Sequence, residues 1–520
     1  MQYGYCLAVT IQKNIYMKIK NFYYLLGITC VLMLCDTAYA QDVPGDADTI
    51  YSKALGEKRV IHVIMPDNYK PGNTTYDVLY VLDAEDDARK MLNIERFAEQ
   101  YAFMPHCIIV NIYTIYFNDR DRDFSPSHVE NSPTSGKAAN FLSFMKNDLL
   151  PYVDKKYPTS GINTLYGHSM GGLFSMYTLM EEPQLFTSYI ITDPSLWWDN
   201  RYMDKVLDEK LASAPLAGKT IWIGSRDGQA HNDMGITTMD SIFAAKAPTG
   251  LLWKSVAYPN ESHFSLIYKN AYDGLKFAYT AYNRGSMEFH PMDGIVVKDK
   301  PFTFYFYNPL PDSPAIRYTT DGTEPTTASP KMEVENIIAN SVDVAIKSFC
   351  VRSRYDTTLH AHYTYGSALQ PIAKPIGTIL GGWHYTYYEG YWDSLPDFST
   401  LKPLQLGIAG KDFIFGKLPR QNNFALLVDG YIEIKEDGYY TFLLTSDDGA
   451  KLFIGNQCII NENGSHFRLQ KSFMVPLKKG FYPIKMEYFQ TWADLALDIS
   501  YIPPSGHSPV MIPFDCRYSK

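Results

Sequence analysis

The sequence predicts a multidomain chain in which an α/β domain with a mostly parallel sheet is followed by two all-β modules. The 520 residues exceed what one hydrophobic core usually holds. Up to about residue 284, strand-like apolar runs at 60–65 and 77–82 alternate with helical patterns such as 139–145, an order typical of a sheet covered on both faces. Beyond that point, strand-like runs such as 302–307 follow one another with almost no helical pattern between them.

The composition is that of an ordinary globular protein. Hydrophobic residues make up 46% of the chain and charged residues 20%, which excludes a disordered polymer. The formal net charge is −9, and the Lys and Arg residues form no cluster. We therefore expect the protein to bind neither nucleic acid nor an anionic membrane surface. No two of the seven cysteines have CxxC spacing, which argues against cysteine-based zinc or thioredoxin-type sites.

The first 40 residues have the pattern of a signal peptide. Lys18 and Lys20 precede a short apolar run at 25–34, and Ala38 and Ala40 supply the small residues that a signal peptidase requires. The apolar run is too short to span a bilayer comfortably, and no later segment looks transmembrane. The sequence therefore predicts an exported protein, periplasmic or extracellular, that begins at Gln41.

Changes in the pattern of predicted strands and helices divide the exported part into three predicted domains. The α/β domain covers residues 41–284, a small β-sandwich covers 285–366, and a β-barrel covers 377–520. A linker punctuated by Pro371 and Pro375 separates the last two.

A serine at the centre of a G-x-S-x-G motif is the predicted nucleophile. The motif runs from Gly167 to Gly171 with Ser169 in the middle, between the end of a strand and the start of a helix. Such a strand–turn–helix elbow, characteristic of the α/β-hydrolase fold, exposes the serine hydroxyl above the sheet. The backbone N–H of Met170, at the helix start, is then placed to stabilise an oxyanion.

A serine nucleophile needs a base, and the chain order of this fold is serine, acid, histidine. His263 follows a strand-like run and precedes a helix, which is the expected position of the base. Asp227 follows the strand at 220–224 and is the predicted acid that orients the imidazole. The alternatives for the acid are Asp193, Asp233 and Glu261. A catalytic dyad of serine and histidine without an acid is a further alternative.

Five separated motifs in this domain resemble the Putative esterase family, which contains esterase D-like enzymes and enterobactin-type siderophore esterases. They occupy residues 80–84, 120–126, 166–174, 193–198 and 261–263. The resemblance implies acyl-ester hydrolysis with Ser169 as nucleophile and His263 as base. It also implies a second oxyanion donor, the backbone N–H of Ala84 or Glu85.

The same resemblance implies that Arg122, Trp197 and Trp198 line the rim of the substrate pocket. Two structural alternatives remain open. Arg122 could anchor its loop through an ion pair with Asp121 or Asp123, and one of the two tryptophans could pack in the core.

The two β-modules resemble known families as well. Residues 316–325 resemble the chitobiase-type C-terminal β-sandwich, with Asp321 and Gly322 in a tight turn. This resemblance implies that the module is a structural spacer more than a functional site. From 377 to the C-terminus the chain is similar to the PA14 domain, through its segments at 382–390, 438–442 and 446–449. In some sugar-binding relatives the acidic pair, here Asp447 and Asp448, coordinates calcium, whereas in others the turn only shapes the barrel.

These features together predict an exported serine hydrolase that cleaves carboxylic esters, with no cofactor for catalysis and calcium as the candidate ion of the PA14-like domain. The expected substrate is an acyl group on a glycan or a glycan-associated compound. One alternative is a siderophore or another small ester, and a second is a glycan-binding, adhesin-like protein without activity. The sequence does not specify the oligomeric state.

Overall fold

The computed structural model describes residues 44–67, 69–114, 119–282, 287–307, 316–410, 418–492 and 495–520. The predicted signal peptide, residues 1–40, lies outside this part of the chain. The chain divides into two compact units, one that ends at Thr280 and one that extends from Ala281 to Lys520. Within the described ranges, no helix is both long enough and apolar enough to cross a lipid bilayer.

The first unit contains a mixed sheet that is mostly parallel, with eight strands among the described residues in the order β1-β2-β4-β3-β5-β6-β7-β8. β1 pairs antiparallel with β2, and β2 pairs antiparallel with β4. The remaining pairs along this order, from β4 to β8, are parallel. The strands are β1 (Asp46–Ser52), β2 (Glu57–Ile64), β3 (Tyr76–Val81), β4 (Cys107–Ile112), β5 (Thr159–His168), β6 (Ser188–Thr192), β7 (Thr220–Arg226) and β8 (Leu252–Tyr258).

Helices connect these strands, and a π-helical turn at Met145–Leu149 joins two of them. The helices are α1 (Ala84–Gln100), α2 (Arg120–Phe124), α3 (Ala138–Phe144), α4 (Leu150–Lys156), α5 (Met170–Glu181), α6 (Trp198–Lys210), α7 (Gln229–Asp233), α8 (Ile236–Lys246) and α9 (Leu266–Ala278). Short 3-10 turns lie at Pro183–Leu185 and Leu211–Ser213.

The central strands are covered on both faces. Every residue of β3, β4 and β6 is buried, which is why these strands read in the sequence as continuous apolar runs and not as alternating ones. Parallel strands bring their carboxyl ends to one edge of the sheet, and in open α/β sheets ligands bind beyond that edge. The α/β fold predicted for this unit is confirmed.

The second unit is all-β apart from short 3-10 turns at Ser353–Tyr355, Phe398–Thr400 and Phe514–Cys516 in its described part. Its strands are β9 (Glu288–His290), β10 (Asp293–Val296), β11 (Phe302–Tyr307), β12 (Arg317–Thr319), β13 (Glu335–Ile338), β14 (Asp343–Ser348), β15 (Thr357–Tyr365), β16 (Ile379–Leu380), β17 (Trp383–Glu389), β18 (Gln405–Ala409), β19 (Phe424–Ile434), β20 (Gly438–Asp447), β21 (Ala450–Ile454), β22 (Gln457–Glu462), β23 (Leu469–Leu477), β24 (Gly480–Gln490), β25 (Ala496–Ile502), β26 (Val510–Met511) and β27 (Arg517–Ser519).

These strands form three sheets in the described residues. The first has the order β12-β14-β15-β10-β23-β20-β25-β26, and the second has the order β13-β11-β9. The third runs β16-β27-β19-β24-β21-β22, with β17 pairing with both β18 and β19.

One sheet runs through both predicted β-modules. β10 pairs in parallel with β15 of the predicted sandwich and with β23 of the predicted barrel. Met474 of β23 also packs in the apolar cluster that holds Phe302 and Val344 of the sandwich. The predicted boundary at 366–377 therefore does not separate two compact bodies, because the pairing of β10 joins segments that are far apart in sequence.

Candidate active site

The predicted nucleophile, Ser169, occupies the turn between β5 and α5. Its backbone has φ 58° and ψ −114°, in a region that residues with a side chain rarely adopt. A side chain at Gly167 would collide with the carbonyl oxygen of Gly171, so the tight turn requires glycine there. The turn sets Ser169 at the carboxyl-terminal edge of the sheet, which is the geometry of a nucleophile elbow.

The two predicted oxyanion donors begin two neighbouring helices. Met170 is the first residue of α5, and Ala84 is the first residue of α1, preceded by Asp83 with φ 52°. A Cβ atom at Gly171 would lie 3.2 Å from Oδ2 of Asp83, so the two helix starts adjoin. The first N–H groups of a helix have no acceptor within it and are therefore available to an anion.

His263 lies in the loop between β8 and α9 and is oriented by a buried carboxylate. Its Nδ1 is 2.6 Å from Oδ2 of Asp193, which leaves Nε2 to accept a proton from a serine hydroxyl. Nε of Arg226 donates to the same oxygen of Asp193, also at 2.6 Å. Burial raises the pKa of Asp193, but the hydrogen bonds from His263 and Arg226 outweigh it and the pKa is lowered, so the carboxylate is ionised at neutral pH.

This geometry corrects the predicted acid from Asp227 to Asp193. Asp227 is exposed and follows Arg226, the last residue of β7. Asp193 follows β6, the strand adjacent to β5 and its serine, and its side chain is fully buried. Both residues follow neighbouring parallel strands, and only the fold shows which carboxylate meets the imidazole.

Ser195 is a site residue that the sequence reasoning did not assign, although it lies within the family motif at 193–198. Its hydroxyl oxygen is 3.2 Å from the Ser169 hydroxyl oxygen. Its backbone N–H donates to the carbonyl oxygen of Ser169 at 3.0 Å. Ser195 therefore supports the elbow from the strand end that also supplies Asp193.

His168, the variable residue before the nucleophile, holds the loop of the base in place. Its Nε2 is 2.9 Å from the carbonyl oxygen of His263, and the two rings lie 4.4 Å apart. Burial, with the neighbouring charge of His263, lowers the pKa of His168 to about 3. His168 is therefore neutral at working pH and donates its Nε2–H to that carbonyl group.

Arg120, and not Arg122, faces the cleft. Nε and Nη2 of Arg120 bind the two carboxylate oxygens of Asp83 at 2.9 and 2.7 Å. Arg122 instead binds Glu57 at 2.7 Å and Asp123 at 2.8 Å. The pocket-rim role predicted for Arg122 is thus replaced by the ion-pair alternative, because α2 points its two arginines in different directions.

A cleft of about 260 Å³ opens over these groups. Its lining contains the nucleophile and the base together with three carboxylates and one guanidinium group. The lining residues are Asp83, Asp86, Asp87, Arg120, His168, Ser169, His263 and Phe264. Arg120 pairs with Asp83 and Lys90 pairs with Asp87, so the cleft has no excess of positive charge that would attract a polyanionic ligand.

Two family models match the chain. The model described as Putative esterase matches residues 52–254, and the model described as PA14 domain matches residues 384–513. The first unit is a Putative esterase domain, and the second contains a PA14 domain. The resemblances to these two families are confirmed, and the resemblance of residues 316–325 to the chitobiase-type β-sandwich stays a prediction.

Curated relatives of the esterase domain include "Ferri-bacillibactin esterase BesA" of Bacillus subtilis, 28% identical over 191 residues, which are 33% of this chain and 66% of that protein. "Siderophore triacetylfusarinine C esterase" of Aspergillus fumigatus is 40% identical over 67 residues, which are 12% of this chain and 23% of that protein. The matches thus span less than two thirds of either relative's length.

Solved structures are similar to nearly half of the chain. An IroE-like serine hydrolase from Shewanella oneidensis is 28% identical with a TM-score of 0.42, covering 45% of this chain and 79% of that one. The BES protein from Bacillus cereus is 27% identical with a TM-score of 0.41, covering 45% and 94%.

The adjacent tryptophans Trp197 and Trp198 differ in exposure. Trp198 is buried, and its Nε1–H donates to the carbonyl oxygen of Ser127 at 3.1 Å, so it packs in the core. Trp197 exposes 48% of its surface. Neither ring lines the cleft described above, so the pocket-rim role of Trp198 is replaced by packing and that of Trp197 stays a prediction.

The acidic pair of the PA14 domain is buried. Oδ1 of Asp448 accepts the backbone N–H of His466 at 3.2 Å, and Oδ2 accepts that of Thr491 at 2.8 Å. The carbonyl oxygen of Asp447 accepts a hydrogen bond from the Tyr488 hydroxyl. These bonds join three loops, which fits the turn-shaping alternative, and calcium binding stays a prediction.

Proposed function

We propose that the esterase domain hydrolyses carboxylic esters through an acyl-enzyme on Ser169. The observation that carries the proposal is the hydrogen bond between the buried Asp193 carboxylate and Nδ1 of His263, in a cleft that also contains Ser169. A buried carboxylate fixes the imidazole tautomer whose Nε2 is basic, and that tautomer is the one that can activate a serine.

The reaction follows from this arrangement. The Ser169 hydroxyl turns from Ser195 toward the base, loses its proton to Nε2 of His263, and attacks the ester carbonyl carbon. The backbone N–H groups of Met170 and Ala84 stabilise the oxyanion. His263 then protonates the departing alcohol, and water releases the acid from Ser169 by the same steps.

The substrate class that we favour is a small neutral ester of the siderophore type. The relatives named above are described as siderophore esterases, which supports this alternative to a glycan ester. Two of the three carboxylates of the cleft are paired with Arg120 and Lys90, so the cleft has no excess of positive charge for a polyanionic ferric complex, whereas a neutral iron-free ester needs none.

A second candidate is an acyl ester on an exported glycan. The observation that favours it is the PA14 domain in the same chain, since this module also occurs in glycosidases and adhesins. The location that this candidate requires, periplasmic or extracellular, is supported by the signal-peptide pattern at residues 1–40.

A substrate panel assayed on the chain from residue 41 tests both candidates. The panel contains p-nitrophenyl acetate, a trilactone siderophore in iron-free and ferric forms, and acetylated xylan, with Ser169→Ala as the matched control. We expect turnover of the aryl ester and the iron-free trilactone, and a loss of several orders of magnitude in Ser169→Ala. Preference for xylan would support the glycan candidate. Absence of Ser169-dependent turnover on every substrate would refute the proposal and favour the non-catalytic, adhesin-like alternative.

A further inference from the structure

Two histidines and one aspartate converge on the outer face of the sheet in the second unit. Asp343 begins β14 and lies opposite His362 of β15, and His360 is two residues away on the same strand and therefore on the same face. The opposite face of these strands carries the core residues Val344 and Ala361. The three polar side chains thus share the solvent side.

The three candidate ligand atoms lie within 4.8 Å of one another, and two of the distances between them match those of a metal site. Nδ1 of His362 lies 3.5 Å from Oδ1 of Asp343, and Nδ1 of His360 lies 3.6 Å from the same oxygen. Metal–ligand bonds of about 2.0–2.2 Å at tetrahedral angles place neighbouring ligand atoms about 3.3–3.6 Å apart. The two imidazole rings stack with an interplanar angle of 2°, and both Nδ1 atoms lie near the same carboxylate oxygen.

The backbone of Asp343 is held in place, but its Oδ1 lacks a hydrogen-bond donor among the described residues. Oδ1 of Asp343 is buried and accepts no hydrogen bond from the described residues. The backbone N–H of Asp343 donates to the Ser341 hydroxyl at 3.1 Å. A Cβ atom at Gly322 would lie 2.7 Å from Oδ2 of Asp343, so the 321–323 turn lies against this carboxylate. A buried acceptor without a donor is costly, and a cation between the three groups would satisfy it.

A further carboxylate lies beside the cluster. Asp293 of β10 pairs in register with His362, on the side of β15 opposite to Asp343. Ala345, which lies opposite His360, is small and fully buried. Three ligands are therefore in place, and Asp293 or water is available for the remaining positions.

We propose that Asp343, His360 and His362 bind one divalent transition-metal ion, of which Zn²⁺ is the best fit. Imidazole nitrogen with a single carboxylate suits Zn²⁺ and not Ca²⁺ or Mg²⁺, which take oxygen ligands. The ion joins β14 to β15 across the sheet and keeps at least one position open to solvent. CxxC spacing does not reveal such a site, because two ligands alternate along one strand and the third comes from its neighbour.

Zinc titration of the untagged, chelator-treated chain tests the site. We expect one Zn²⁺ per chain by calorimetry, no competition from Ca²⁺, and a Co²⁺ absorption spectrum typical of low coordination number. His362→Ala and Asp343→Asn should each lower zinc affinity by about 100-fold or more, since loss of a supporting outer partner alone costs 10–100-fold. The matched control is His507→Ala, because His507 is an exposed imidazole that meets a single carboxylate, Glu335 at 2.9 Å.

A thermal shift provides the second readout. Zn²⁺ should raise the melting temperature of the second unit in the wild type and in His507→Ala, and not in the two ligand variants. The proposal is overturned if the chelator-treated wild type binds no zinc, or if the ligand variants bind it as tightly as the wild type does. Neither readout involves ester hydrolysis, so the outcome is independent of the proposed esterase activity.

Discussion

Replacement of Asp193 by asparagine isolates the contribution of the buried carboxylate to catalysis. In the native protein, Oδ2 of Asp193 accepts from His263 Nδ1 and from Arg226 Nε, each at 2.6 Å. An amide NH₂ in that position would face two donors. In one outcome, the amide oxygen accepts both hydrogen bonds but lacks the negative charge of the carboxylate. In the other, the imidazole of His263 carries its proton on Nε2, and Nε2 can then not accept the proton of Ser169.

The expected loss in kcat for Asp193→Asn is about 10⁴-fold, as for a triad whose histidine adopts the wrong tautomer, or about 5.5 kcal/mol of transition-state stabilisation. The assay is p-nitrophenyl acetate hydrolysis under saturating substrate, with circular dichroism and thermal melting to verify folding. Asp227→Asn is the matched control and should retain activity within a fewfold, because Asp227 is exposed and does not contact His263 in the described structure. Less than a tenfold loss in a folded Asp193→Asn, or a large loss in Asp227→Asn, would refute the assignment.

Three further changes test the surroundings of the site. The unfolded chain protonates His168 near pH 6.5 and the folded one only near pH 3, so this residue's stabilisation is present above pH 6.5 and is lost as the pH falls toward 3. Between pH 7.5 and pH 5, the wild type should therefore lose about 2 kcal/mol more unfolding free energy than His168→Gln, as measured by urea titration. The same pH dependence in both proteins would contradict a buried neutral imidazole. Arg120→Met removes both hydrogen bonds to the nearly buried Asp83 and should cost about 3–5 kcal/mol of stability by chemical denaturation, with a cost below 1 kcal/mol counting against the ion pair. Gly167→Ala places a methyl group against the carbonyl oxygen of Gly171, so we expect little soluble folded protein and no turnover, whereas a folded, active variant would show that the elbow can relax.

The sequence predicted the features of the site that depend on local chain geometry. The G-x-S-x-G pattern between a strand and a helix located Ser169, and the loop after a later strand located His263. The choice between Asp193 and Asp227 was not accessible in this way. Both follow strands of the same sheet, and the decision depends on which strand adjoins β5 and on the direction in which each side chain leaves its turn.

Long-range pairing was the other feature that local patterns could not predict. Within residues 120–126 two arginines alternate with aspartates, and their partners, Asp83 for Arg120 and Glu57 for Arg122, lie far away in sequence. Likewise, nothing in the local sequence of β10 identifies β15 and β23 as its neighbours. Fold class followed from periodicity, whereas side-chain partners and strand order required the folded chain.

The position of β10 between β15 and β23 determines how the second unit can be divided into fragments. A chain that ended near residue 370 would leave one side of β10 with unpaired N–H and C=O groups, and a fragment that began there would expose β23 in the same way. Open strand edges of this kind pair with other copies and promote aggregation. Each fragment would expose one unpaired strand edge. The β-region therefore has to be expressed whole, from Ala281 onward, to remain monodisperse.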